Sequence, residues 1–129
     1  MNPRYDRDKG MQMFDTVYCG DVPIPTAPGE SRFIDYMLET LFGTLWADQD
    51  SLSIRDRRLL LIGAIAAIGD ETTLAIQTRS ALKRGELDAA QLDSISMFLT
   101  QYVGYPLGSR LHRVFTQLRA ETASAGAAR

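Results

Sequence analysis

The chain has 129 residues, 45% of them hydrophobic and 23% charged, and a formal net charge of -2. That length suits one domain with a core of ordinary size, and the charge balance offers no broad basic field for nucleic-acid phosphates. The single cysteine, Cys19, excludes an internal disulfide and any paired-cysteine redox or zinc site built within one chain.

Cysteine usage, together with a polar and charged opening from Met1 to Lys9 in place of a basic-then-apolar leader, points to the reducing cytoplasm. The longest apolar run, Leu59 to Gly69, is roughly half the length that crosses a bilayer. It predicts a buried helix, with neither membrane nor nucleic acid as a partner.

Strand signals are almost absent and apolar residues recur at helical spacing after residue 30, so the chain reads as all-α, with about six helices and central antiparallel hairpins. Asn2-Pro3 opens a first helix with Tyr5, Met13, Phe14, Val17 and Tyr18 on its apolar face, and Gly20 ends it. The connector at residues 22–30 contains Pro23, Pro25 and Pro28, which remove donors and fix φ. Ser31 caps a second helix whose stripe is Phe33, Ile34, Met37, Leu38, Leu41, Phe42 and Leu45, ending near Gly43 to Trp46.

Ser53-Ile54-Arg55-Asp56 resembles a capping box and opens a helix through Leu59–Ile68, apolar on nearly all sides and therefore expected to be central and surrounded. Asp70 caps the next helix, which stops at Gly85. Asp88 to Gln91 repeats the capping-box spacing before Leu92, Ile95, Phe98, Leu99, Tyr102 and Val103, and Gly104 with Pro106 break that helix. The last helix starts near Leu107 and uses Leu111, Val114, Phe115 and Leu118, with residues 120–129 expected to fray as a disordered tail.

The order Leu74-Ala75-Ile76-Gln77-Thr78-Arg79-Ser80-Ala81-Leu82-Lys83-Arg84-Gly85, then Tyr102-Val103-Gly104-Tyr105-Pro106, resembles the carboxymuconolactone decarboxylase family within the alkylhydroperoxidase D-like superfamily. Phe42-Gly43-Thr44-Leu45-Trp46 and Leu52-Ser53-Ile54-Arg55-Asp56-Arg57-Arg58-Leu59-Leu60 are similar to further elements of it, so the likeness runs from about Tyr5 to Leu118. It implies a single domain that assembles into trimers or hexamers and holds a small-molecule ligand or substrate in a pocket walled by several helices, without a cofactor or metal.

Residue by residue, the resemblance implies Arg58, Gln77 and Tyr102 as catalytic positions and Trp46, Val103 and Tyr105 as substrate-binding ones. Gln77 stands where the family carries histidine, and Val103 where it carries cysteine. An amide does not titrate near neutrality, so Gln77 can orient a substrate or water but cannot be a general base.

Each of these residues has a structural reading beside the functional one. Trp46 suits a core as well as a pocket wall, Arg58 and Arg79 suit ion pairs, Gln77 suits a buried polar network, and Tyr102 suits a hydroxyl satisfied by backbone. His112, the only histidine, lies outside the motif, and Asp70 and Glu71 suit a helix start.

Two functions follow. One is a lyase-like small-molecule enzyme with a diverged substrate, a compact anionic or enolisable lactone or keto compound held by Arg58. The other is an oligomeric binding or structural protein that has lost the ancestral acid and base. Thiol peroxidase chemistry ranks below both, because Cys19 has no partner cysteine within the chain.

Overall fold

The computed structural model describes residues 6–127, among which every regular element is helical and no strand occurs. Helix α1 spans Arg7–Tyr18. Helix α2 spans Arg32–Tyr36 and continues directly into a wider coil over Met37–Trp46. Helices α3 to α6 span Ile54–Ile68, Glu71–Lys83, Ala89–Val103 and Tyr105–Ala127. The chain divides into two compact units between Arg57 and Arg58, within α3. The expected Asn2-Pro3 start and Tyr5 lie outside the described residues.

In the first unit Asp6 starts α1, its carboxylate accepting from the amides of Asp8 at 3.0 Å and Lys9 at 3.2 Å. Glycines then let two backbones meet. A β-carbon on Gly10 would lie 2.5 Å from the Leu38 carbonyl carbon and closer still to its oxygen, and one on Gly43 would lie 2.8 Å from the Asp6 carbonyl oxygen. Phe14 and Phe42 pack edge to face at 4.9 Å beside this contact, both buried.

The wider coil is a π-helix: the Ala47 amide donates to the Phe42 carbonyl at 3.1 Å, five residues back. The buried side chains here are Leu38, Phe42 and Trp46, four residues apart, with Gly43 beside them. Phe33, Leu41 and Leu45, expected in one stripe with Leu38 and Phe42, are exposed. An i→i+5 coil puts residues four and five apart on one face, so a stripe drawn at 3.6 residues per turn assigns Leu41 and Leu45 to the wrong side.

Arg7 ties the connector to both helices. Its Nε meets Asp35 Oδ1 at 2.8 Å and its Nη2 donates to the Thr26 carbonyl at 3.1 Å, while the Gly29 amide donates to Asp35 Oδ2 at 2.9 Å. The Arg7 guanidinium, and after it the Gly29 amide, hold the Asp35 carboxyl below its ordinary range.

The second unit is built from most of α3 with α4, α5 and α6. Ile62, Ile65 and Ala66 of α3 join Leu74 and Ala81 of α4, Leu92 of α5, and Leu111, Val114, Phe115 and Leu118 of α6 in one buried cluster. Burying each large side chain contributes about 1.5–3 kcal/mol.

The caps anticipated from spacing are present. The Asp56 amide donates to Ser53 Oγ at 3.0 Å and the Thr73 amide to Asp70 Oδ1 at 3.2 Å, while Asp88 and Gln91 form a reciprocal capping box. Gly69, at φ 83°, turns the chain between α3 and α4.

Two expectations change. Helix α3 is not surrounded, since Leu60, Ala64, Ala67 and Ile68 are exposed along one side. Four helices of a unit this small cover only the opposite side. Helix α6 passes Ala120 and remains helical to Ala127, with Glu121 paired to Arg79 at 3.2 Å and the Thr122 hydroxyl donating to the Leu118 carbonyl at 3.0 Å. Alanine's high helix propensity favours that extension.

Two glycine substitutions, one in each unit, test these contacts. Gly10→Ala is expected to destabilise by about 1–3 kcal/mol, because the new methyl meets backbone that cannot rotate away. Gly63→Ala, whose β-carbon meets only Leu99 Cδ2 at 3.9 Å, is expected to be neutral or to stabilise by up to about 1 kcal/mol. Comparing their denaturation midpoints checks both.

Because the Asp35 pKa is depressed in the folded state, its contribution is complete above the ordinary value of 3.8 and is lost as pH falls through the lower folded value. Asp35→Asn is therefore expected to lower Tm at pH 6. The gap from wild type should close as pH falls below about 4 in a melting series.

Candidate functional site

Helix α3 carries Arg58 on its buried side, one turn before Ile62, and α4 carries Gln77 on its buried side between Leu74 and Ala81. Gly85, at φ 71°, bends the chain after α4 and delivers Glu86 to the same place. Arg58 is 0% exposed. Its Nε donates to Glu86 Oε1 at 3.0 Å and its Nη2 to Glu86 Oε2 at 3.3 Å, a two-pronged guanidinium–carboxylate pair. Its Nη1 donates to Gln77 Oε1 at 2.7 Å, and Arg84 Nε reaches Glu86 Oε2 at 2.7 Å.

The Glu86 side chain is 7% exposed and that of Arg84 30%, so Arg58, Gln77 and Glu86 form the dry part of this network and Arg84 its solvent-facing edge. Arginine only donates, which places the Gln77 carbonyl oxygen toward Arg58. In this arrangement the guanidinium already has its counter-ion. An anionic ligand would have to compete with Glu86 for this guanidinium.

Of the residues expected to form one pocket, Arg58 and Gln77 meet. Tyr102 is 78% exposed and lies against Phe98, ring centroids 5.2 Å apart, on the outside of α5. Val103 is half-buried and Tyr105 is exposed at the start of α6. Trp46 belongs to the first unit, buried and stacked on Phe42 at 6.1 Å with an interplanar angle of 6°.

Among the described residues, grooves on the second unit include one between α5 and α6 and one between α4 and α6, neither lined by Arg58 or Gln77. One, of about 340 Å³, runs between α5 and α6 past Met97, Gln101, Tyr105, Ser109 and His112. Two hydroxyls in its wall, Ser96 and Thr100, donate to helix carbonyls at 3.1 and 2.6 Å. The other, of about 430 Å³, lies between α4 and α6 over Ala75, Ile76 and Val114. Arg113–Glu71 at 2.8 Å and Arg79–Glu121 at 3.2 Å pair charges along it. Among the described residues no three His, Cys, Asp or Glu side chains gather as metal ligands, and no helix is long and apolar enough to cross a membrane.

No family model, curated protein or solved structure matches this chain.

Nothing in the spacing singles out Glu86, which follows a helix stop and sits in no motif. The signal that could have found it is chemical. An arginine on the apolar side of a helix needs a carboxylate, and Glu86 is the acidic residue nearest the end of α4 in sequence. The exposed face of Phe98 and Tyr102 was likewise hidden, because helical spacing identifies apolar positions without showing which ones a neighbour covers.

Arg58→Ala is expected to destabilise by about 3–5 kcal/mol, because it leaves Glu86 buried without its main counter-ion. Arg58→Met combined with Glu86→Leu should recover part of that loss, since the apolar pair removes the stranded carboxylate while Gln77 Oε1 still loses its Arg58 donor. Denaturant melts of the single and double variants check this coupling.

Proposed function

We propose that this chain is a carboxymuconolactone decarboxylase-like helical protein that has kept the scaffold and lost the proton chemistry. In this reading it works as a non-catalytic, oligomeric binding or structural protein. The observation that carries this reading is the burial of Arg58 with its guanidinium held by Glu86 and Gln77. That charge is committed to internal structure. The amide at position 77 cannot exchange a proton near neutrality, and Tyr102, on the outside of α5, is no wall of an enclosed site. The exposed apolar side of α3 supports assembly.

One observation favours the enzymatic reading. Arg58 and Gln77, 19 residues apart, come together at 2.7 Å where the resemblance implies a substrate site. In that case the substrate would be a small lactone or keto compound whose oxygen is oriented by Gln77.

Melting temperatures of the wild-type chain and Gln77→Ala against small lactones, muconate-like acids and keto acids separate the two. A ligand at a hundredfold excess over its Kd stabilises the native state by about 2.7 kcal/mol. The expected outcome is no turnover of any compound by wild type. A shift without turnover would identify the ligand of a binding protein. Turnover accompanied by a shift that Gln77→Ala abolishes would overturn the non-catalytic reading.

A further inference from the structure

We propose that the groove between α5 and α6 is a binding site for a small, uncharged aromatic molecule that carries a hydroxyl or amino donor. The two helices follow one another through Gly104 and lie close, since a β-carbon on Gly108 would stand 2.2 Å from Thr100 Oγ1. Helical spacing then gathers polar side chains along both walls. On α5, Ser96 and Thr100 stand one turn apart beside Met97, and on α6, Tyr105, Ser109 and His112 stand on successive turns. The resemblance assigns no ligand role to Ser96, Thr100, Ser109 or His112. Neither Arg58 nor Gln77 lines this site, so its occupancy is independent of the reading above.

The chemistry of the walls selects the ligand. Ser96 and Thr100 are only 6% and 8% exposed, and each hydroxyl donates its one proton to a helix carbonyl, that of Asp93 at 3.1 Å and that of Ser96 at 2.6 Å. Those oxygens can then only accept, so a ligand that reaches them has to bring an N–H or O–H. Among the described residues that line the groove there is no Asp, Glu, Lys or Arg, and an ion entering it would give up water without meeting an opposite charge. At the mouth, the Met97 thioether and the Tyr105 ring, 63% and 69% exposed, offer a polarisable edge and a flat face to an aromatic ring. A volume of about 340 Å³ is at the small end of ligand sites, which suits a single ring.

Titration of phenol into the full chain, followed by amide chemical shifts, tests this. Toluene, which lacks the donor, and benzoate, which carries a charge, are the comparison compounds. Ser109→Phe places a larger side chain in the groove from an exposed position, and Thr100→Val keeps the shape while removing an acceptor. Circular dichroism checks that both variants fold. The expected result is one-to-one saturation by phenol, with shifts concentrated at residues 96–112 and an affinity at least about fivefold above that for toluene or benzoate. Ser109→Phe should abolish saturation. Thr100→Val should weaken phenol binding about two- to tenfold, the contribution of one hydrogen bond.

Absence of saturable phenol binding, or binding that the folded Ser109→Phe variant retains, would overturn the site. Toluene or benzoate binding as tightly as phenol would overturn the class of ligand, and that comparison needs only wild type, so it decides the matter even if Thr100→Val does not fold.

Discussion

A guanidinium taken fully out of water is the constraint around which the second unit is arranged. Arg58 has no exposed surface, and an unpaired charge in that position would cost several kcal/mol. Glu86 and Gln77 resolve this, but only if the chain turns sharply after α4 and α4 presents an amide to the interior. The backbone conformation of Gly85 and the amide of Gln77 on the buried side of α4 meet that need. Thr78 fits the same interior because its hydroxyl donates to the Leu74 carbonyl at 2.8 Å. Polar side chains on an inward helix face are therefore no sign of a reaction site when each has an internal partner.

The first unit solves a different problem. It is small, and it gains cohesion from backbone proximity at Gly10 and Gly43 and from the stacked and edge-on rings of Phe14, Phe42 and Trp46. The wide coil from Met37 to Trp46 keeps those side chains on one face at a four-residue interval. The indole is thereby absorbed into a core, where its size contributes burial without presenting a surface for a ligand. Arg7 adds a polar tie that holds the proline-rich connector against the ends of both helices.

Taken together, the buried charges of this protein are spent internally while some of its large apolar side chains face outward. Binding of an anionic metabolite would need the opposite distribution, with a cation aimed into an apolar cleft. The grooves described on the second unit hold hydroxyls that serve their own helices or arginines that meet carboxylates. Leu60 and Ile68 on α3 and Phe98 and Tyr102 on α5 remain exposed.

Much of the architecture was legible in the sequence. Ser53, Asp70 and Asp88 mark helix starts because a short polar side chain satisfies orphan amides locally, and Gly69, Gly85 and Gly104 mark stops because they adopt positive φ. Those effects act within four or five residues, so local sequence determined the all-helical class and most boundaries. The pairing of Arg58 with Glu86, the enclosure of Trp46 and the exposure of Phe98, Tyr102 and Leu60 were decided only by tertiary structure. They depend on which helix lies across from each side chain. Periodicity marks an apolar or charged position but does not encode the neighbour that covers or neutralises it.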